Sequence, residues 1–228
     1  MPNPQPVLNR GAAATRSLLG WGVVAGPFYL VVGVVLGTTR PGFDFTRHAL
    51  SLLMLGHLGW IQRTNFVLCG LMVIAAGMGV LRAIRSGRGL AVGGLVIAAG
   101  VTLILAALFV PDPVSGFPPG AVAGSPSAGG MMHLLCGATQ LVTITASALA
   151  HGLWSRTVGQ PARGALSIVL AIGILGGFIG GVILANHTAG IALLWLAVVC
   201  EWVWLALACA QMYQWSPHPL GASVAPTP

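Results

Sequence analysis

Histidine and carboxylate side chains recur near the ends of long apolar runs in this chain. Four of them come from four different segments: His48, Asp112, His133 and His187. One carboxylate with two or three imidazoles is a ligand set that a divalent ion such as zinc accepts. The sequence therefore offers a candidate metal site, although it contains no HxxxH or HExxH spacing.

The same residues could act as acids and bases instead. Asp112, His133 and Ser51 are candidate catalytic residues, because an aspartate-oriented histidine can activate a serine hydroxyl or a water molecule. His48 and Ser51 stand at positions i and i+3, a spacing that places two side chains on one helix face. This pattern is compatible with a base and a nucleophile.

A structural role for these residues explains the same pattern. Asp112 could pair with Arg47 or Arg63 and tie the connecting loops to the rest of the protein. The histidines would then make ordinary hydrogen bonds. The sequence alone leaves the catalytic, metal-binding and structural interpretations open.

Glu201 is a separate candidate, because it stands near the middle of the last apolar run. A bare carboxylate is costly at such a position. We therefore expect it to be protonated, or hydrogen-bonded to a polar side chain of a neighbouring helix, with Gln140, Thr143 and Thr145 as candidates. It could serve as an intramembrane acid or proton relay, or as a neutral structural residue.

The composition shows which elements must position these side chains. Of the 228 residues, 56% are hydrophobic and 6% are charged, whereas a soluble domain is about 25% charged. This excludes a soluble globular protein, and a helix that crosses the hydrocarbon layer needs about 20 apolar residues. We expect an all-α bundle of six transmembrane helices at residues 18–37, 66–81 (beginning near Trp60), 90–110, 131–153, 165–185 and 190–212.

The arginines predict the orientation of the bundle. With six spans, seven arginines share the face of the termini and three lie on the opposite face. Because positive connections stay in the cytoplasm, we expect a multi-pass protein of the cell (inner) membrane with both termini cytoplasmic. Residues 17–213 form the predicted membrane domain, and residues 1–16 and 214–228 are predicted to be disordered tails. His151 is expected to be solvated on the cytoplasmic side.

The segment between the first two spans should contain a short helix at the membrane interface. Residues 48–58 are too few to cross a bilayer and too apolar for a free loop. Trp60 follows where an interfacial aromatic anchor belongs. Gln62 and Asn65 then enter the second span.

The fifth apolar run carries glycines at four-residue spacing, such as Gly173, Gly177 and Gly181. Such a face lets another helix approach closely. We expect it to pack within the chain, with the glycine-containing third run as a plausible partner, and a dimer interface is the alternative. The oligomeric state stays open.

Several motifs near the predicted outer face resemble a family of small bacterial membrane proteins known as domain of unknown function 998. The resemblance spans roughly residues 20–210, and its motif positions here are Ser51, Gly59, Trp60, Gln62, Asn65, Asp112 and His133. It implies a membrane protein of about six spans. It implies no activity, because none is assigned to the family.

Three classes of function fit these observations. The first is a binding, sensing or accessory protein for a lipidic or small-molecule ligand. The second is an intramembrane enzyme on a lipid or isoprenoid substrate, either a metal-dependent hydrolase or an acid-initiated cyclase. The third is a proton-coupled transporter, although the two halves show no repeat. Nucleic acid is not an expected partner, because the arginines are scattered between apolar runs.

Overall fold

The computed structural model describes residues 7–122, 124–185 and 187–221, and six long helices dominate it. All six are long and apolar enough to cross a membrane. The predicted all-helical architecture with six such helices is confirmed. The helices are α1 Arg10–Thr39, α2 Gly59–Ala83, α3 Gly87–Leu108, α4 Ala128–Thr157, α5 Pro161–Ile183 and α6 Thr188–Trp215.

The six helices form a closed ring in chain order. Each helix packs against the next one along the chain, and α6 also packs against α1. Two short strands, β1 (Val7–Leu8) and β2 (Leu220–Gly221), pair antiparallel, so the two ends of the chain meet at one end of the ring. We call this the terminal end. The opposite end carries residues 40–58, 109–122 and 124–127, and we call it the loop-bearing end.

The predicted tails are described only in part. Residues 1–6 and 222–228 lie outside the described residues. α1 begins at Arg10, and the side chain of Asn9 accepts a hydrogen bond from the Ala12 amide at 3.0 Å. Such a cap satisfies an amide at the start of a helix, so part of the predicted first tail is helical.

Glycines set the distance between neighbouring helices. A Cβ atom built on Gly100 of α3 would lie 2.7 Å from the carbonyl oxygen of Gly70 on α2. A Cβ atom built on Gly177 of α5 would lie 2.6 Å from the carbonyl oxygen of Leu193 on α6. The glycine face of α5 therefore packs within the chain, as expected. Its partner is α6 and not α3, because the short connection between α5 and α6 makes them neighbours.

Two loops close the loop-bearing end. Phe117 is fully buried there, and its ring stands edge-on to Phe43 with centroids 5.3 Å apart. The Arg40 guanidinium lies 5.5 Å from the centre of the Phe117 ring. A 3₁₀ helix, Leu50–Met54, lies between α1 and α2, and four of its five residues are buried. This helix is shorter than the predicted interfacial helix, which was expected within residues 48–58.

The contact between α5 and α6 gives a first test of the fold. We expect Gly177→Ala to lower the free energy of unfolding by about 1–3 kcal/mol, because the new methyl group forces the two backbones apart. Gly176→Ala is the matched control, since a Cβ atom there meets nothing within 4 Å. Thermal unfolding in detergent measures both variants. Equal melting temperatures for the two would contradict the close approach of α5 and α6.

Candidate functional site

A cavity of about 120 Å³ lies inside the ring near the loop-bearing end, and we call it the central cavity. Its lining comes from α1, the 3₁₀ helix, α2, α3, α4 and α6, and most of it is apolar. Six lining side chains carry polar groups: Tyr29, Ser51, His133, Gln140, Trp195 and Glu201. An apolar cavity with a few convergent polar groups is the usual form of a small-molecule site.

Glu201 lies at the inner wall of this cavity and is 6% exposed. Nε2 of Gln140 on α4 donates a hydrogen bond to Oε2 of Glu201 at 3.0 Å. Gln140 is thus the polar partner that the sequence proposed. Thr143 and Thr145 instead donate to backbone carbonyls of their own helix. The Gln140 bond joins α4 to α6 across the ring.

His133 lies on α4 and presents one ring nitrogen to the backbone. Its Nδ1 is 2.9 Å from the Ala106 carbonyl oxygen and 3.1 Å from that of Phe109. Carbonyl oxygens only accept hydrogen bonds, so Nδ1 carries the proton. In the neutral ring Nε2 is then left as an acceptor. A side chain that lines the cavity with a free lone pair can accept a ligand hydroxyl or act as a base.

The side-chain amides of Gln62 and Asn65 are buried close to the cavity but do not line it. Nδ2 of Asn65 donates to the Tyr29 carbonyl at 3.1 Å and to Oε1 of Gln62 at 3.3 Å. The first bond joins α2 to α1, and the second lies within α2. The Tyr29 ring lies 5.4 Å from that of Phe66, between centroids. Trp60, the predicted interface anchor, is 63% exposed at the start of α2.

His48 joins the two loops and does not face the cavity with Ser51. Its Nδ1 accepts from the Asp44 amide at 2.9 Å, and its Nε2 lies 3.2 Å from the Ser115 carbonyl oxygen. Both ring nitrogens are therefore occupied. His48 also precedes the 3₁₀ helix that contains Ser51. The predicted shared helix face of His48 and Ser51 is not formed.

Asp112 stabilises the start of α4. Its Oδ2 accepts a hydrogen bond from the Ser127 amide at 2.9 Å. Hydrogen bonds from the side chain and backbone of Ser127 lower the pKa of Asp112. A carboxylate is also favourable near a helix N-terminus. The proposed arginine partners lie elsewhere: Nε of Arg63 donates to the Ala107 carbonyl at 3.0 Å, and Arg47 is exposed.

The four predicted metal ligands do not converge. His48 bonds to two loops, Asp112 to the start of α4, and His133 to the end of α3, while His187 is exposed. Within residues 7–122, 124–185 and 187–221, no three His, Cys, Asp or Glu side chains form a group that could hold a metal ion. This geometry gives no support to the predicted zinc site.

The prediction that His151 is solvated is wrong. Its side chain is buried and only 3% exposed. Its ring lies 5.7 Å from Trp154 and 6.1 Å from Trp204, between centroids. The helical spacing of Gln140, Ser147 and His151 places all three on one face of α4, and that register is the signal that indicates burial.

Comparison with known families places the chain in context. A family model described as a protein of unknown function, DUF998, matches residues 23–211. That range includes all of α2 to α5 and most of α1 and α6. Neither the curated proteins nor the solved structures contain a match to the chain.

The hydrogen bonds to Asp112 predict how stability depends on pH. Because the folded-state pKa lies below the ordinary value of 3.8, ionised Asp112 stabilises the fold above that pH. The benefit disappears as the pH falls through the lowered pKa. We expect Asp112→Asn to reduce the melting temperature at pH 7, and the difference from the parent protein to shrink towards zero at pH values below 3.8.

Thermal unfolding in detergent across this pH range measures the effect. Arg47→Gln is the control, since Arg47 is exposed and makes no hydrogen bond within the described residues. If the melting temperatures of Asp112→Asn and the parent protein differ by the same amount down to the lowest pH, Asp112 stabilises the fold through packing and not through its charge.

Proposed function

The chain belongs to DUF998, a family of proteins of unknown function, and we propose that it binds a lipidic or small-molecule ligand in the central cavity. In this proposal it is a multi-pass protein of a bacterial cell (inner) membrane, with a binding, sensing or accessory role. The observation that carries the proposal is the cavity itself, where an apolar lining meets a few buried polar groups.

The distribution of arginines supports an orientation with the terminal end in the cytoplasm. Connections rich in arginine stay on the cytoplasmic side. The central cavity then lies in the extracytoplasmic half of the membrane. The terminal end carries Arg10, Arg16, Arg82, Arg85, Arg88, Arg156 and Arg163, and the loop-bearing end carries Arg40, Arg47 and Arg63.

The size and chemistry of the cavity define the ligand class. A volume of about 120 Å³ is small beside the roughly 300–1,000 Å³ of sites that enclose a drug-sized molecule. It suits the end of an amphiphile. A hydroxyl or a similar small polar group could bond to Glu201, Tyr29 or His133, while an apolar chain leaves the cavity.

We place the entrance of the cavity beside α4 and α6. Most of the cavity lining is buried, but Ala49 and Ser51 at the loop-bearing end are partly exposed, and so are Gly137 of α4 and Leu194, Trp195 and Val198 of α6. The last four belong to helices of membrane-spanning length. The chain of a bound amphiphile can therefore continue into the lipid beside the protein.

A cavity-filling variant tests this proposal. Gly137 lines the cavity, and a Cβ atom built there meets nothing within 4 Å, so Gly137→Leu should fill the space without disturbing the helices. The probe is a long-chain alcohol that carries a diazirine. We expect the parent protein to be photolabelled on residues that line the cavity, and Gly137→Leu to lose most of this labelling.

Gly176→Leu is the matched control, because Gly176 is exposed, has equal open space and lies outside the cavity. It should be labelled like the parent protein. Labelling that is unchanged in Gly137→Leu, or that spreads evenly over the lipid-facing surface, would refute a ligand site in the central cavity.

A second candidate function is an intramembrane enzyme on a lipid or isoprenoid substrate. One observation favours it: Ser51, Glu201 and the acceptor nitrogen of His133 belong to the same cavity. Asp112 is not part of this group because it bonds at the start of α4. The acid of a cyclase would therefore be Glu201, with His133 as the base.

Variants that keep the cavity shape separate the two functions. In an enzyme, Glu201→Gln should stop conversion of a polyprenyl alcohol while the diazirine probe still labels the cavity. Chromatography of the extracted lipid measures conversion, because a cyclised product is an isomer with the same mass as the substrate. If the parent protein converts none of the alcohol, or if Glu201→Gln converts as much as the parent, the cyclase hypothesis is refuted and the binding role stands.

A further inference from the structure

A second cavity lies at the terminal end, between α4, α5 and α6, and we call it the terminal cavity. Its volume is about 180 Å³. It shares no lining residue with the central cavity. The residues that matter for its chemistry are His151, Arg163, Ser167, Trp204 and Gln211.

Ser167 determines which nitrogen of His151 carries a proton. The Ser167 hydroxyl donates to the Ala148 carbonyl at 2.8 Å and accepts from Nε1 of Trp204 at 2.7 Å. Its single proton is then used, so Nδ1 of His151, 3.2 Å away, donates to the remaining lone pair. In the neutral ring Nε2 of His151 is left as an acceptor.

Two buried nitrogen atoms of this cavity have no hydrogen-bond partner within the described residues. They are Nε2 of His151 and Nε2 of Gln211. The two side chains are 3% and 4% exposed. Leaving a buried polar atom unpaired is costly. The first atom needs a donor and the second needs an acceptor, and a single hydroxyl group supplies both.

The rim of the cavity adds a positive charge and an apolar surface. Arg163 is one helical turn before Ser167 on α5, and its contact with Oε1 of Gln214 is a long one at 3.5 Å. Leu166 and Leu207 also line the cavity and are 45% and 47% exposed. The cavity thus runs from two buried, unpartnered nitrogen atoms to a cationic rim beside exposed leucines.

We propose that the terminal cavity binds the headgroup of an anionic phospholipid that carries a free hydroxyl, of the phosphoglycerol type. The headgroup hydroxyl bonds to His151 and Gln211. The phosphate lies near Arg163, and the acyl chains lie over Leu166 and Leu207. This site is independent of the ligand proposed for the central cavity.

Lipid selectivity of the unmodified protein is the first test. The probes are phosphatidylglycerol and phosphatidylethanol, two anionic lipids of which only the first has headgroup hydroxyls. Native mass spectrometry of the detergent-solubilised protein measures bound lipid. We expect phosphatidylglycerol to bind more tightly by roughly five- to hundredfold, the contribution of about two hydrogen bonds. Equal binding of the two lipids would overturn the proposal.

Variants of Gln211 and Arg163 then test which residues produce the preference for phosphatidylglycerol. Gln211→Leu should reduce the preference for phosphatidylglycerol several-fold, because only the bond to His151 remains. Arg163→Gln should weaken binding of both lipids and keep the preference. Arg156→Gln is the matched control, because Arg156 is an exposed arginine at the same end that does not line the cavity. Gly137→Leu should also leave the selectivity unchanged. Gln211→Leu with full selectivity would overturn the assignment.

Free glycerol 3-phosphate distinguishes a lipid from a soluble source of the same chemistry. We expect it not to displace phosphatidylglycerol at millimolar concentration, because it cannot use the leucine surface. The lipid assignment would be overturned if glycerol 3-phosphate displaced the bound lipid at a concentration lower than that at which phosphatidylglycerol itself binds. Melting temperatures of all variants, measured in the same detergent, exclude loss of fold as the cause.

Discussion

Polar side chains inside this ring must find their hydrogen-bond partners within the protein or in a bound ligand, because hydrocarbon supplies none. The helices meet that constraint by bonding across to one another. Gln140 of α4 bonds to Glu201 of α6, Asn65 of α2 to the backbone of α1, and Ser147 of α4 to the backbone of α3. Each bond joins two helices and fixes their axial register, so the polar residues that are costly to bury also specify how the ring closes.

Glycine brings other pairs of helices into close contact. Small residues let the backbones of two neighbouring helices approach one another. Gly70 against Gly100 and Gly177 against Leu193 provide such approaches on both sides of the ring. Cavities are left at both ends of the ring interior, and each keeps polar atoms from the same inward-facing stripe of α4.

Several residues that carry recognisable chemistry in the sequence serve to hold the loops. His48 uses both ring nitrogens to join two loops, and Asp112 bonds at the start of α4. Phe117, which has no reactive group, is the buried centre of this cap. The two cavities instead contain polar groups that can meet a ligand, among them His133 and Glu201 in one and His151 and Gln211 in the other.

The sequence by itself determined the number and type of the helices, because long apolar runs with few charges have one stable form in lipid. It also determined that Glu201 needs a polar partner and named Gln140 among three candidates, since a buried carboxyl group must be bonded. Only the tertiary structure decided that α5 packs on α6, that His48 and Asp112 lie apart, and that His151 is buried. The physical reason is that helical spacing shows which side chains share a face, whereas the neighbour of that face depends on how the ring closes and how the loops fold.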